Sequence, residues 1–190
     1  PEERLDLFES ARKLFVWDGY AEIGIDHFAR PEDGLTRAQK AGTLRRNFQG
    51  YTDDTSDVLV GLGASSISRF PQGCAQNAPA TSAHTKAISE GRFSTSRGHV
   101  FSAEDKLRSR IIEMIMCDFR VSSAALLAEH DIAPAALAAM LAEANKRFGN
   151  RLKTSADGLY IPEEMRPLTR LIARAFDAYD LSKAGHSSAI

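Results

Sequence analysis

The 190-residue sequence is poor in cysteine, in net charge and in long apolar runs. Cys74 and Cys117 are its only cysteines, and their separation excludes a disulfide scaffold and a zinc or iron–sulfur site made of cysteine alone. The 24 basic and 25 acidic residues leave a net charge of −1, which excludes a chain-wide attraction to nucleic acid or anionic membranes. No apolar run approaches the roughly 18 residues of a membrane-spanning helix. We therefore expect a soluble cytoplasmic protein.

Helical spacing of apolar residues predicts several helices in the first half of the chain. The first helix starts at the N-terminus and ends before Gly19, and "LTRAQKAG" forms a short helix ending near Gly42. A third helix is expected from about Thr81 to Glu90, within an otherwise turn-rich connection that spans residues 71–101.

Two stretches of the first half read as strands. Ile23 and Ile25 predict a short strand whose end delivers Asp26 and His27 into a polar loop. The run "VLVGLG", residues 58–63, is apolar without alternation, which is typical of a strand covered on both faces in a parallel sheet or barrel.

The second half predicts an ordered series of helices and one hairpin. Ser102 and Asp105 have the spacing of a capping box at a helix start, and Pro134 is suited to open a later helix. Asp157 and Gly158 mark the turn of a hairpin, which a last helix follows. Helix, helix, hairpin and helix in this order predict a winged-helix arrangement.

The predicted fold class is α/β structure followed by a mainly α part. Residues 1–101 form the first domain with its connecting segment, and residues 102–190 form a helical, winged-helix-like domain. Between Ala103 and Glu163 we count eight basic and nine acidic residues, so this domain lacks the basic surface of a DNA reader. A structural use of the winged-helix fold is favoured over nucleic-acid or protein binding, which stays the alternative.

The candidate functional residues cluster in few places. His27 beside Asp26 suits a carboxylate-oriented base or a metal ligand, or else a histidine that caps a turn. In "RRNFQGYTDD", residues 45–54, an amide and two aromatic side chains stand between basic and acidic residues. "GLGASS" permits close backbone approach to a ligand but lacks the third glycine of a dinucleotide fingerprint. The remaining histidines lack a second ligand at metal spacing and are predicted to be surface residues: His84, His99, His130 and His186.

Four motifs together, "IGIDHFARPEDGL", "LRRNFQGYT", "GLGASSIS" and "AQN", resemble the oxygen-independent coproporphyrinogen III oxidases, which are radical S-adenosylmethionine enzymes of haem biosynthesis. The resemblance covers the whole chain. The segments "DHFA" and "RNFQGY" favour the oxidases over their heme-chaperone relatives, which stay a further alternative.

The resemblance implies a fold and an activity. The chain would be the C-terminal end of a partial (β/α) radical-SAM barrel followed by the helical domain, and hence a fragment that is inactive alone. The full-length enzyme would oxidatively decarboxylate coproporphyrinogen III to protoporphyrinogen IX. It would use a 4Fe-4S cluster, S-adenosylmethionine and an electron-donor protein, and bind neither nucleic acid nor membrane. The cluster-binding cysteines would lie upstream, with no metal ligand in this chain.

The resemblance also implies roles for particular residues. Phe48 and Gln49 match active-site residues near the cofactors, and Ile67 matches the isoleucine that packs on S-adenosylmethionine. An amide there would hydrogen-bond a polar cofactor without adding charge, and an aromatic ring would give an apolar wall near a radical. Four more residues match the motif without an assigned role: Asp26, His27, Asn47 and Tyr51.

Overall fold

The computed structural model of the chain describes residues 2–179, and for Glu2 the backbone alone. Mixed helix and sheet make up this part of the chain. In chain order, its elements are α1 (Glu2–Trp17), β1 (Ala21–Ile23), β2 (His27–Ala29), α2 (Gly34–Ala41), β3 (Arg45–Arg46), β4 (Tyr51–Thr52), β5 (Ile67–Phe70), β6 (Gly73–Asn77), α3 (Thr81–Ser89), β7 (Thr95–Val100), α4 (Ala103–Asp118), β8 (Arg120–Ser122), α5 (Ser123–Glu129), α6 (Pro134–Arg147), β9 (Lys153–Ser155), β10 (Gly158–Tyr160), a 3₁₀ helix (Glu163–Leu168) and α7 (Thr169–Arg174). No helix among them is both long and apolar enough to cross a membrane.

The described residues fall into two compact units. The larger unit consists of the residues up to Asp53 together with those from Leu107 onward, and the smaller unit runs from Asp54 to Lys106. The predicted division into residues 1–101 and 102–190 groups elements by their order in the chain, whereas the two compact units group residues by their contacts. The predicted division stays a prediction.

Helix α4 is the centre of the larger unit because it contributes to both of that unit's apolar clusters. The main cluster surrounds Ile111 and Ile115, both 0% exposed, which pack with side chains from α5, α6 and β10. The second cluster joins Cys117 of α4 to Ile23 and Leu44, and so attaches the β1–β2 hairpin to the helix. Whatever holds α4 in place therefore also holds the N-terminal hairpins.

The local signals in the sequence explain where these helices start and stop. The hydroxyl oxygen of Ser102 accepts from the Asp105 N–H, while the Asp105 carboxylate accepts from the Ser102 N–H at 2.8 Å, which is the expected capping box. The Ser122 side chain caps α5. Pro134 opens α6, as predicted. Gly42, with a φ of +69°, ends α2 in the left-handed conformation.

All strand pairs of the described residues are antiparallel. The larger unit has two hairpins, β1–β2 and β3–β4, and a three-stranded sheet in the order β8–β10–β9. The smaller unit has one sheet in the order β5–β6–β7, with α3 between β6 and β7. The predicted helices and hairpin of the second half are present as α4, α5, α6 and β9–β10, whereas strand β8, which pairs with β10, was not predicted.

The prediction of a strand at residues 58–63 is wrong. These residues form one isolated bridge, Leu59 to Arg69, and Leu62 is 88% exposed. The reason is Gly61, whose backbone lies so close to Ile67 that an added Cβ would be 2.7 Å from the Ile67 carbonyl oxygen. Glycine allows this irregular approach and weakens a regular strand. Apolar composition alone did not distinguish the two arrangements.

Two further expectations need correction. Thr95–Val100, predicted to be part of a connection, is strand β7, and since all six residues are exposed they carry no period-two signal. His27 does not lie in a polar loop, since it begins β2 directly opposite Ile23 across a tight turn. Ile25 belongs to that turn and not to the strand before it.

We predict that Leu126→Ala lowers the free energy of unfolding by about 2–5 kcal/mol, because Leu126 is 0% exposed within the main cluster. Leu127, its neighbour on α5, is 37% exposed, so Leu127→Ala should cost less than about 1 kcal/mol. Urea unfolding of both variants measures the difference. Equal losses would show that α5 does not present Leu126 to the core.

Candidate functional site

Phe48 and Gln49 lie at the tip of the β3–β4 hairpin, and both side chains are exposed. Asn47 shapes this tip: its Oδ1 accepts hydrogen bonds from the N–H groups of Gln49 at 2.8 Å and Gly50 at 3.3 Å. The Asn47 N–H in turn donates to the Gly50 carbonyl at 2.9 Å. This Asx-type turn gives Asn47 a structural role, which is to present the two residues that follow it.

The base of the same hairpin is fixed to helix α4. The Glu113 carboxylate accepts from the Arg45 guanidinium at 3.1 Å and from the Arg46 N–H at 3.4 Å. Arg110, one turn earlier on α4, donates to the same carboxylate at 2.8 Å. Because Glu113 is itself packed and only 16% exposed in its side chain, these charge-assisted bonds fix the hairpin's position on the helix.

Tyr51 connects three segments of the larger unit. Its hydroxyl accepts from the Ile25 N–H at 3.0 Å and donates to the Met116 carbonyl at 2.8 Å. Burial raises the pKa of the Tyr51 phenol to about 12, so the hydroxyl keeps its proton for this second bond. Gly24 makes room for the ring, since a Cβ there would lie 2.1 Å from the Tyr51 Cζ.

Asp26 and His27 form a hydrogen-bonded pair that a distant arginine completes. His27 Nδ1 lies 2.9 Å from one Asp26 carboxylate oxygen, and Arg170 of α7 donates to the other at 2.6 Å. Burial opposes ionisation of Asp26, but the hydrogen bonds from His27 and Arg170 outweigh it and lower the pKa of the carboxyl. The carboxylate therefore stays ionised and orients the imidazole.

The Asp26–His27 pair and the hairpin meet at Tyr51. The His27 ring stands edge-on to the Tyr51 ring, with 4.9 Å between ring centres. A Cβ on Gly50, whose φ is +145°, would lie 3.4 Å from His27 Nε2, so the histidine packs directly beside the hairpin tip. The structure thus brings together six of the seven predicted site residues: Asp26, His27, Asn47, Phe48, Gln49 and Tyr51.

Ile67, the seventh, lies in the smaller unit. It is the first residue of β5, is half-buried, and pairs with Gln76 of the "AQN" motif. The chain before it is held by side chains: the Gly63 carbonyl accepts from Ser66 Oγ at 2.7 Å and from Asn77 Nδ2 at 3.0 Å. A half-buried isoleucine suits an apolar contact with a ligand. That Ile67 shares a pocket with Phe48 and Gln49 stays a prediction.

The residues present do not fit an iron–sulfur cluster. Cys74 lies in β6 and Cys117 in α4, and burial raises the pKa of the Cys117 thiol to about 12, whereas a cluster needs thiolates. Among residues 2–179, no three His, Cys, Asp or Glu side chains are grouped as metal ligands. His27 is oriented as an acid, a base or a hydrogen-bonding group.

Sequence reasoning missed two arginines of this site. Arg46 stands directly opposite Tyr51 across the β3–β4 pair, although its place in the motif alone did not distinguish it from Arg45. Arg170 lies 144 residues from Asp26 and belongs to no motif, so no local signal could have found it.

No family model matches the sequence. A solved structure that it resembles is that of a radical SAM enzyme, the coproporphyrinogen III oxidase of Escherichia coli. The TM-score is 0.87 at 30% sequence identity, and the match covers 95% of this chain and 42% of that one.

The curated relatives have the corresponding activity in their names. The chain is 62% identical over all 190 residues to the oxygen-independent coproporphyrinogen III oxidase of Paracoccus denitrificans, covering 42% of that protein. It is 56% identical over 182 residues, or 96% of the chain, to the enzyme of the same name from Cereibacter sphaeroides, covering 40% of it. The chain thus spans about two-fifths of the length of the relatives it matches. The resemblance predicted from the motifs is confirmed: over its whole length the chain is similar to the C-terminal part of these oxidases.

We predict that Gly24→Ala lowers the free energy of unfolding by about 2–5 kcal/mol, since it adds a Cβ against the Tyr51 ring at a φ of +56°. The ring cannot swing away while its hydroxyl keeps both hydrogen bonds. Gly42→Ala is the matched control: φ is +69° with nothing within 4 Å, so the cost should be about 1 kcal/mol. Similar losses in chemical unfolding would contradict the packing of Tyr51 on Gly24.

We expect Arg170→Gln to raise the pKa of Asp26, measured by carboxyl-carbon NMR titration, because one hydrogen bond to the carboxylate is lost. Folding lowers this pKa, so the pair stabilises the fold above the carboxyl's ordinary pKa of 3.8. That stabilisation is lost as pH falls through the lower, folded-state value. The stability gap between wild type and Arg170→Gln should therefore shrink on acidification.

Arg174→Gln, on the same helix and exposed, is the control and should leave the Asp26 titration unchanged. An unchanged pKa in both variants would show that Arg170 does not pair with Asp26 in solution.

Proposed function

We propose that this chain is the C-terminal part of an oxygen-independent coproporphyrinogen III oxidase that oxidatively decarboxylates two propionates of coproporphyrinogen III to vinyl groups. The observation that supports this most is the 62% identity with such an enzyme along the whole chain. The site agrees with it, since six of the seven matched motif residues lie together around the Tyr51 ring and the β3–β4 tip.

The proposed cofactors are S-adenosylmethionine and a 4Fe-4S cluster, which together would supply radical chemistry that removes a hydrogen atom from a propionate side chain. The cysteines of this chain do not fit the cluster, so its ligands would come from the preceding part of the enzyme. Ile67 would give S-adenosylmethionine an apolar contact. An electron-donor protein is the proposed redox partner, and the cytoplasm the proposed location.

Phe48 and Gln49 would act at the site where cofactor and substrate meet. The Gln49 amide can donate and accept hydrogen bonds without adding charge. The Phe48 ring, 57% exposed, offers an apolar surface that would exclude water once covered. Asn47 holds both in place, so the tip would be preorganised before any ligand arrives.

The finer description of the fold belongs to the same proposal. Residues 1–101 would be the C-terminal end of a partial (β/α) barrel, here contributing antiparallel hairpins. Residues 102–190 would be a winged-helix-like domain, which the order α4, β8, α5, α6, β9 and β10 supports. Of this second range, residues 180–190 lie outside the described part of the chain.

The alternatives are less well supported. A nucleic-acid-binding winged helix would need basic residues on α6, yet the sequence of that helix is mostly alanine and leucine, with Lys146 and Arg147 at its end only. A heme-chaperone relative is not favoured, since the relatives reported above are named as oxidases.

We predict activity for a chimera in which the preceding part of the Paracoccus denitrificans relative is joined to this chain. With reductant and S-adenosylmethionine under anaerobic conditions, it should convert coproporphyrinogen III to protoporphyrinogen IX, measured by fluorescence after oxidation. In the chimera, Gln49→Leu and Phe48→Ala should lower kcat by about tenfold to a hundredfold, because each removes a contact at the reacting centre.

Gln72→Leu is the matched control, since Gln72 is exposed in the turn between β5 and β6, and it should keep full activity. A folded chimera with a bound cluster but no decarboxylation would overturn the proposed function. Full activity of Gln49→Leu would remove Gln49 from the active site.

A further inference from the structure

Arg46 has a buried guanidinium nitrogen that the described residues leave without a hydrogen-bond partner. Its Nε is buried and has no hydrogen-bond partner, and its side chain forms no ion pair among residues 2–179. Its neighbours differ: Arg45 and Arg110 both pair with Glu113. Buried polar groups are nearly always satisfied, so this Nε calls for a partner that the described residues do not supply, such as a water or an ion.

Arg166 also has a buried Nε without a partner, but its environment accounts for it. Its guanidinium carbon lies 4.5 Å above the centre of the Phe119 ring, a close cation–π contact. The Arg46 guanidinium carbon is 5.7 Å from the Tyr51 ring centre, at the outer limit of such a contact. Arg46 is therefore the less satisfied of the two.

His27 supplies a second unpaired nitrogen beside the same ring, and this Nε2 donates a hydrogen bond when the imidazole carries both protons. Asp26 occupies Nδ1, while Nε2 has no hydrogen-bond partner among the described residues. The side chain is 45% exposed and stands edge-on to Tyr51. Arg46 reaches this ring from the opposite strand, where it pairs with Tyr51 in register.

The surrounding charges favour an anion at this place. Asp26 is balanced by Arg170, and Glu113 is shared between Arg45 and Arg110. These pairs leave the Arg46 charge without a counterion in the described structure. An anion would therefore add a missing partner without displacing an existing ion pair.

We propose that Arg46 and His27, which both lie beside the Tyr51 ring, form a binding site for a carboxylate of the substrate. The proposal rests on the proposed function, which identifies that carboxylate as a propionate side chain of a tetrapyrrole. The site adjoins the tip that presents Phe48 and Gln49, so it would fix one propionate while another reacts. Arg46 and His27 are in this sense substrate-positioning residues.

The test is a titration of the isotope-labelled 190-residue chain, followed by NMR at the His27 imidazole. Three probes are compared: coproporphyrin III, which is the air-stable oxidised form with the same four propionates, its tetramethyl ester, and sodium propionate. We expect coproporphyrin III and propionate to shift the His27 signals, and the ester to leave them unchanged. Arg46→Gln, and His27→Gln followed by the absorbance of the porphyrin instead of the lost imidazole signal, should each weaken coproporphyrin III binding by about tenfold or more.

Arg151→Gln is the matched control, because Arg151 is exposed and lies in a different part of the sequence and secondary structure from Tyr51. This variant should bind coproporphyrin III with the affinity of the wild type. Equal shifts with the ester, unchanged affinity in Arg46→Gln, or no shift with either carboxylate would overturn the carboxylate site. The ester comparison uses the wild-type chain, so it decides even if a variant fails to fold. A response to propionate but not to coproporphyrin III would support the site and count against the proposed substrate.

Discussion

The Tyr51 hydroxyl is the contact on which the site depends. It joins the β1–β2 turn, through the Ile25 N–H, to the carbonyl of Met116 on helix α4. Tyr51 itself lies in β4, directly after the tip of the β3–β4 hairpin. One side chain thus fixes three backbone segments relative to each other. Because both hydrogen bonds are partly buried, losing either would leave a partly buried polar group unpaired. The Tyr51 ring also contacts the His27 ring and lies near the Arg46 guanidinium group.

Helix α4 connects this contact to the rest of the larger unit. One part of its surface contributes Ile111 and Ile115 to the main apolar cluster, while Glu113 and Cys117 face the N-terminal hairpins. The position of the hairpin tip is therefore coupled to the main core. The site is built on hairpins whose strands are only two or three residues long. Because such short hairpins are marginally stable alone, the site gains its rigidity from this packing.

Residues that are close in sequence made several features predictable. The capping box at Ser102 and the proline at the start of α6 act over three or four residues, and both helices begin where the sequence indicates. The run at residues 58–63 failed as a strand because apolar composition does not report pairing, and its glycines allow an irregular path. Strand β7 was not predicted, because it is defined by its pairing with β6 and not by an alternation of apolar and polar residues.

The sequence by itself determined the helices of the second half, the Asn47 turn that presents Phe48 and Gln49, and the likeness to the oxidases. These follow from local hydrogen bonding, helical periodicity and motif identity. Only the tertiary structure decided that Arg170 would hold Asp26 and that Tyr51 would reach the Met116 carbonyl, across separations of 144 and 65 residues. No local pattern encodes such contacts, because they exist only once independent segments have packed on a common helix.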